Sequence, residues 1–294
     1  LEMDINKRRI ELGRIGEGAV SMDLNVFNLL ELGCFAWPFS EKHWTEEING
    51  CVKDIIEILM RYETMPDLTR KTDDLFRDLY MKIMPTSVRH SLGEYYTPEW
   101  LAENVINSGM EYIPFDKKNI RIIDSTAGSG TFIQKVIEKK RRLYADKSNK
   151  EIVANILNEV AAIDANTIAV ILARINYFLA IADLIDEDNE IYIPVFIGDS
   201  SIPAINKITS DGKYYVDNIQ FGDGKQIKVE VPVKSTSNHR SFIRDMQNLT
   251  FFLDEPDSEL KKQLDKLCEN EMELKDITGS WLELKEQGLI TPAV

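Results

Sequence analysis

The stretch IRIIDSTAGSGTFIQKVIEKK, residues 120–140, decides the fold of this chain. A short apolar run ends at Asp124, two glycines follow at Gly128 and Gly130, and a helical pattern begins directly after them. This order predicts a β-strand, a tight turn and a helix N-terminus. Glycines in such a turn let the backbone approach a ligand closely, because they carry no Cβ. The stretch therefore predicts a ligand site at the end of a strand.

Two further apolar runs repeat this arrangement along the chain. The run NEVAAID ends at Asp164 and the run IYIPVFIGD ends at Asp199, and both predict strands. Helical patterns near residues 131–145 and 167–184 lie between the strands. Strands that alternate with helices form parallel sheets with right-handed crossovers. The sequence therefore predicts an α/β fold with three strand-end aspartates at one edge of the sheet.

The segments before and after this α/β region have a different character. Thr45 is predicted to cap one N-terminal helix, and residues 72–85 predict a second. Residues 213–233 alternate around a Gly-Asp-Gly turn, which predicts a hairpin. The predicted regions are an N-terminal helical region at 1–90, a ligand-binding α/β half-domain at 91–204, and a hairpin plus helical insert at 205–294.

The composition limits the class of protein. The formal net charge of −14 argues against broad nonspecific affinity for DNA, although a local basic cleft is compatible with it. The basic run at 139–142 is interpreted as a solvated helix end, with a phosphate contact as the alternative. The three cysteines show no C-x-x-C spacing, so we expect free thiols in a reducing cytoplasm and no metal site. No run of eighteen apolar residues occurs, so no membrane span is expected.

Three ligand classes compete for the glycine turn. A triphosphate-binding loop requires a lysine directly after the last glycine, and this chain has Thr131 there. A dinucleotide site requires a third small residue where this chain has Ile133. It also requires an acid about 20 residues further on, and Asp164 lies well beyond that distance. The third class is S-adenosylmethionine, a cationic nucleoside without phosphate.

S-adenosylmethionine matches the order of the acidic residues. Asp124 suits a cationic ligand, and the helix N-terminus after the turn can face the carboxylate of the ligand. Asp164 can accept the ribose hydroxyls, and Asp199 can accept the adenine amino group. A single aspartate at a strand end more often forms a turn or caps a helix. The prediction therefore rests on the three aspartates together with the glycine turn.

The stretch GEYYTP, residues 93–98, precedes the first strand and predicts a helix start with Thr97 as N-cap and Pro98 in the first turn. With this stretch the chain resembles the N6-adenine DNA methyltransferases of restriction-modification systems, of the type I modification subunit and fused restriction-methylation kind. Residues 93–98 are similar to the G-x-[FY]-[YF]-T-P motif of that family, and residues 124–132 are similar to its D-P-x-x-G-S-G-x-F motif. The resemblance covers residues 70 to 200 approximately.

The resemblance implies a partial Rossmann-like, S-adenosylmethionine-dependent methyltransferase sheet preceded by a helical region. It implies methyl transfer to an adenine flipped out of duplex DNA. It also implies a specificity domain or subunit, and a restriction subunit or fused nuclease, as partners. The cofactor-binding residues that it implies are Tyr95, Tyr96, Thr97, Pro98, Asp124, Ala127, Gly128, Ser129, Gly130, Phe132, Asp164, Ala165, Asp199 and Ser200.

Two departures from the family pattern matter. Ser125 stands where the family commonly has proline, and this small residue keeps the turn small. The catalytic motif of the family, [DN]-P-P-[YFW], is absent, because no Pro-Pro pair occurs in the 294 residues. We therefore expect a fragment without catalytic residues, with an unpaired edge on the first strand. The predicted hairpin or a second copy of the chain would cover that edge.

Two alternative functions remain open on the sequence alone. The chain could be a non-catalytic module that binds S-adenosylmethionine or acts as a scaffold. It could also belong to a methyltransferase that acts on RNA or protein, although the motif at 93–98 favours DNA.

Overall fold

The computed structural model describes residues 4–16, 18, 21, 23, 25–30, 37–60, 86–87, 97–112, 120–185, 190–201, 258 and 262, and the strands at 207–208, 214–220 and 226–232. The chain divides into two compact units, Leu1–Ser201 and Ile202–Val294. The division into three regions drawn from the sequence stays a prediction.

Helices and strands alternate in the second half of the first unit. The helices of this unit are α1 (Ile5–Gly16), α2 (Glu46–Met60), α3 (Glu99–Tyr112), α4 (Thr131–Leu143), α5 (Asn149–Glu159) and α6 (Thr167–Ile181). Short 3-10 helices lie at Trp37–Phe39 and Ala182–Leu184. The strands are β1 (Ile122–Asp124), β2 (Val160–Asp164) and β3 (Val195–Ile197).

The three strands form one parallel sheet in the order β1, β2, β3. Ile122 lies opposite Val160 in the register, and Ala162 lies opposite Val195. This sheet and the helices before and within it confirm the predicted α/β class. A Rossmann-like methyltransferase sheet is a finer statement that stays a prediction. The third strand is shorter than predicted, because Pro194 has no N–H to donate to a ladder.

The connection from β1 to β2 holds two helices, α4 and α5, and the second of these was not predicted. Ser148 caps α5 through a capping box, in which its hydroxyl accepts a hydrogen bond from the Glu151 N–H at 3.4 Å. The Glu151 carboxylate accepts in return from the Ser148 N–H at 3.1 Å. The S-x-x-E spacing in the sequence was the signal for this helix start.

The core of the first unit lies between the sheet and helices α4, α5 and α6. Nine residues of helix α6 are buried, including Val170, Ala173 and Ile181. The segment Thr167–Leu184 is long and apolar enough to cross a membrane by length and composition. Its burial against the sheet and α4 accounts for that composition without a membrane.

A segment near the N-terminus pairs with the chain just before β3. Val26 forms a parallel bridge with Ile191, and its own side chain is fully buried. The Asn28 side chain donates to the Ile193 carbonyl at 2.8 Å and accepts from the Ile193 N–H at 2.7 Å. We predicted only helices in this part of the chain, so this strand-like contact corrects that prediction. A single polar residue forms both bonds, which the hydrophobic pattern could not indicate.

Helix α2 confirms the predicted helix around residues 46–60. The Thr45 hydroxyl accepts from the Ile48 N–H at 3.3 Å, as expected of an N-cap. The second predicted helix, at 72–85, lies outside the described residues.

Two side chains of the basic run at the end of α4, Lys140 and Arg141, bond within the fold, which corrects in part our interpretation of the run as a solvated helix end. Lys140 is fully buried, and its Nζ donates to Glu159 at 2.5 Å and to the Ile120 carbonyl at 2.9 Å. Arg141 forms a two-pronged ion pair with Asp183 at 2.6 and 2.8 Å. The other two side chains lie at the exposed surface, where Lys139 donates to Asn107 and Arg142 pairs with Glu138 of the same helix.

The second unit contains an antiparallel sheet of its own. Its strands are β4 (Lys207–Ile208), β5 (Tyr214–Gln220) and β6 (Gln226–Pro232), in that order. Strands β5 and β6 pair from Tyr214 opposite Pro232 to Gln220 opposite Gln226, which confirms the predicted hairpin. Among the described strands β1 pairs with β2 alone, and coverage of its other edge by the hairpin stays a prediction. Association of two copies at this edge stays a prediction.

Candidate functional site

The ends of the three parallel strands meet at one edge of the sheet. Asp124 is the last residue of β1, Asp164 is the last residue of β2, and Asp199 follows β3 by two residues. These aspartates border a cavity of about 850 Å³ within the first unit. This volume falls within the range of roughly 300–1,000 Å³ that is typical of small-ligand sites.

The structure brings most of the predicted site residues together around this cavity. The predicted residues that line it are Thr97, Asp124, Ala127, Gly128, Phe132, Asp164, Ala165, Asp199 and Ser200. Pro98, Ser129 and Gly130 do not line it, and Tyr95 and Tyr96 lie outside the described residues. That these residues bind a cofactor stays a prediction.

Sequence reasoning missed about half of the cavity lining. The additional residues are Ser125, Thr126, Thr131, Asn166, Thr167, Ile168, Ala169, Gly198 and Ser201. All of them lie in the loops after the strands or in the first turn of the helix that follows. The location of each strand end was the signal, because ligands of open α/β sheets contact these loops.

The glycine turn has a backbone that requires its glycines. Gly128 has φ +54° and Gly130 has φ +92°, both in the left-handed region that favours glycine. A Cβ at Gly130 would come within 3.3 Å of the Cα and Cβ of Ala173 on helix α6. Gly130 therefore allows the turn to pack directly on α6, and it directs the chain into α4.

Most backbone N–H groups of the turn donate within the protein. The Thr126 N–H donates to Asp124 Oδ1 at 3.1 Å, and the Gly128 N–H donates to Asp164 Oδ2 at 2.8 Å. The N–H groups of Ala127 and Gly130 donate to main-chain carbonyls at 3.0 and 2.9 Å. A phosphate-binding loop directs such groups at its ligand. This turn directs three of them at the ends of β1 and β2 and the fourth, that of Gly130, at its own Ala127 carbonyl.

The surroundings of Asp124 disfavour the ionised form of its carboxyl group. Burial raises the pKa of this carboxyl above its ordinary value of 3.8, and the charge of Asp164 raises it further. The hydrogen bond from the Thr126 N–H acts in the opposite direction. Oδ2 of Asp124 is buried and has no hydrogen-bond partner among the described residues. The side chain therefore favours a proton or a cationic neighbour.

The other two strand-end aspartates have different surroundings. Asp164 is half-buried, and its Oδ1 accepts from the Asn166 N–H at 2.8 Å. Asp199 is exposed, and its Oδ1 accepts from the Ser201 hydroxyl at 2.6 Å and from the Ser201 N–H at 2.9 Å. These two bonds lower the pKa of Asp199. Both aspartates thus have the turn-forming role that the sequence left open.

Helix α6 contacts the glycine turn through Asn176 and Ala173. The Asn176 side chain is buried, and its Nδ2 donates to the Ser129 carbonyl at 2.9 Å. Asn176 is therefore buried in helix α6 and also makes a polar contact with the turn. At the start of the same helix, Asn166 Oδ1 accepts from the Ile168 N–H at 2.9 Å as the N-cap.

The described end of the stretch at 93–98 lies beside the cavity. Thr97 lines it, and the carbonyl of Pro98 accepts from the N–H groups of Leu101 and Ala102 at 3.0 and 3.1 Å. Helix α3 therefore begins after Pro98, which takes the N-cap position that we predicted for Thr97. Within the described part of the chain, no cluster of three or more His, Cys, Asp or Glu side chains could hold a metal ion.

Comparison with known proteins gives one family and one similar structure. Residues 71–224, more than half of the chain, match the model of the N-6 DNA methylase family. No curated protein matches the chain. The chain is similar to a chain of the cryo-EM structure of the DrdV–DNA complex, at 15% identity and a TM-score of 0.41, over 66% of this chain and 20% of that one. This chain thus spans about a fifth of that chain's length. The family match confirms the resemblance drawn from the sequence motifs, and the chain belongs to the N-6 DNA methylase family.

Proposed function

We propose that this chain is the S-adenosylmethionine-binding part of a DNA adenine-N6 methyltransferase of a restriction-modification or phage-defence system. One observation carries the proposal: three strand-end carboxylates share a cavity with a glycine turn whose N–H groups are mostly engaged within the protein. The family of the chain supports the reaction class.

The charge of the cavity supports a cationic ligand over a phosphate. Asp124, Asp164 and Asp199 line it, and none of the described residues that line it is a lysine, an arginine or a histidine. A phosphate would meet three carboxylates and few free N–H donors there. S-adenosylmethionine carries a sulfonium and an ammonium group, which such a cavity attracts. The residues present therefore fit this cofactor.

Each part of the cavity has a proposed task in binding. Asp124, whose Oδ2 is buried beside the cavity, favours the positively charged methionine end. Asp164 accepts the ribose hydroxyls, and Asp199 accepts the adenine amino group. Phe132 and Ile168 supply apolar surface to the same cavity. When bound, the cofactor supplies an activated methyl group on its sulfonium.

The transfer step requires groups that these 294 residues do not contain. No Pro-Pro pair occurs, so the chain has no [DN]-P-P-[YFW] segment to hold the amino group of a flipped adenine. We propose that such a segment from outside these residues completes the site. Catalysis would then rest on positioning and dipole orientation. Duplex DNA, a specificity domain or subunit, and a restriction subunit or fused nuclease are the proposed partners.

Calorimetric titration of the chain with S-adenosylmethionine, ATP and NAD tests the cofactor. We expect binding of S-adenosylmethionine alone, and binding that favours ATP or NAD would refute the proposal. Tritium-methyl transfer to DNA, RNA and protein by the protein supplied with a [DN]-P-P-[YFW] segment tests the acceptor. Label in the N6 position of adenine in DNA is the expected result. Binding of the cofactor without transfer to any acceptor would instead indicate a non-catalytic module.

A further inference from the structure

Asp164 contacts the glycine turn as well as the loop that follows its own strand. Its Oδ2 accepts from the Gly128 N–H at 2.8 Å, 36 residues away in sequence, and its Oδ1 accepts from the Asn166 N–H at 2.8 Å. The preceding residue continues this attachment, because the Ile163 carbonyl accepts from the Ala127 N–H at 3.0 Å. The end of β2 therefore holds the turn that follows β1 by two consecutive hydrogen bonds.

The bond to Gly128 holds the turn at the residue where its backbone becomes left-handed. Gly128 has φ +54°, and it is the first of the two glycines with positive φ in the turn. A carboxylate is a stronger and more closely approaching acceptor than a neutral oxygen. Asp199 offers a contrast, because its printed bonds go only to Ser201 in its own loop. Of these two acids, Asp164 is the one that joins two loops of the cavity.

We propose that Asp164 is a positioning residue for the glycine turn, in addition to the ribose-binding task given to it above. This inference rests on the proposed function. A carboxylate has about four lone-pair sites, so two bonds to N–H groups leave capacity for ribose hydroxyls. One side chain then fixes the turn that faces the methionine end of the ligand and also binds its nucleoside end. Removal of the carboxylate affects both ends of the ligand.

The replacement Asp164→Asn tests this inference with two ligands. The two N–H groups bond to different oxygens of Asp164, and an amide of the same shape replaces one of these oxygens by an NH2 donor, so it cannot keep both bonds in this geometry. Calorimetry measures the affinity for S-adenosylmethionine and for methylthioadenosine, which keeps the nucleoside and lacks the amino-acid end. We expect Asp164→Asn to weaken S-adenosylmethionine binding about tenfold more than methylthioadenosine binding. The matched control Asp199→Asn should lower the affinities for the two ligands by equal factors.

A second measurement needs no ligand. Amide hydrogen exchange at Gly128, followed by NMR in the free protein, should be faster in Asp164→Asn than in the wild type and unchanged in Asp199→Asn. Equal losses for both ligands, or unchanged exchange at Gly128, would overturn the positioning role and leave the proposed function intact. Faster exchange at Gly128 in Asp164→Asn, together with a wild-type chain that binds neither ligand, would support the positioning role and refute the proposed function.

Discussion

Gly130 lies against Ala173, so that a Cβ on Gly130 would come within 3.3 Å of both the Cα and the Cβ of that residue. Gly130 also has φ +92°, where any side chain is strained. We expect Gly130→Ala to lower the free energy of unfolding by about 2 kcal/mol, because strain and overpacking act together. Urea unfolding measures this change, and S-adenosylmethionine affinity should fall with it.

Gly109→Ala is the matched control for that substitution. Gly109 is exposed in helix α3, and a Cβ there would meet nothing within 4 Å. Alanine in a helix interior is favoured over glycine by about 0.5–1 kcal/mol, so this variant should be more stable than the wild type. Equal effects of the two substitutions would show that the turn does not require glycine at residue 130.

The buried ion pair of Lys140 and Glu159 gives a second prediction. The side chains are 0% and 6% exposed, and the Tyr144 hydroxyl donates to both Glu159 oxygens at 2.8 Å. Lys140→Met leaves a buried carboxylate without its cation, and we expect a loss of about 3 kcal/mol or more in the free energy of unfolding. Chemical denaturation checks this value.

Two further variants separate the buried charge from the loss of packing. The double replacement Lys140→Met, Glu159→Gln removes both charges, so we expect it to be more stable than Lys140→Met alone. Arg142→Ala, in the same basic run, removes a side chain that is 71% exposed and paired with Glu138. That variant should stay within about 0.5 kcal/mol of the wild type. A similar loss for Lys140→Met and Arg142→Ala would contradict the role of burial.

The sequence predicted the order of the elements better than the pairing of their polar side chains. Hydrophobic runs that end in Asp124, Asp164 and Asp199 placed three strands and one shared edge correctly, because strand-end position is a local property of the pattern. Lys140 and Arg141 of the basic run were misinterpreted because their partner acids, Glu159 and Asp183, lie on other elements. Helical spacing alone does not show which charges a fold will bury.

In the candidate site, too, the sequence pattern did not show which polar side chains would bond to each other. The glycine turn and its acids were visible as a motif, yet the bond between Asp164 and Gly128 joins residues 36 positions apart. Asn176 lies in a helix that is apolar on most sides, so its pattern indicated packing alone. The Asp164 contact depends on how β2 pairs beside β1, and the Asn176 contact depends on how helix α6 crosses the turn. That crossing is a tertiary property, which single-sequence reasoning does not provide.

Asn176 gives the third prediction. Asn176→Ala removes the donor to the Ser129 carbonyl, and both residues are about 1% exposed. The free energy of unfolding should fall by about 1–2 kcal/mol, because a buried carbonyl loses a hydrogen bond. Asn107→Ala is the control, since the Asn107 side chain accepts from Lys139 on the exposed surface. Its effect should be within about 0.5 kcal/mol, and an equal loss in the two variants would argue against a support role for Asn176.

Asp124 gives the fourth prediction, which concerns pH. Its raised pKa means that the folded protein keeps this proton at pH values where the unfolded chain, with a pKa near 3.8, has lost it. Stability therefore falls as the pH rises from about 4 through the raised pKa. Asp124→Asn cannot ionise, so the stability of this variant relative to the wild type should increase over that interval. Urea unfolding at about pH 4, 5, 6 and 7 measures the difference.

Asp199→Asn distinguishes this effect from a general response to pH. The Ser201 bonds lower the pKa of Asp199, so its stabilising contribution is complete above about pH 4 and is lost only as the pH falls through the lowered pKa. The stability of Asp199→Asn relative to the wild type should therefore be constant from about pH 4 to 7. A constant difference for Asp124→Asn as well would mean that the pKa of Asp124 in the folded protein is not raised above its ordinary value. The buried Oδ2 would then need a cation or a donor in the folded protein to hold its charge.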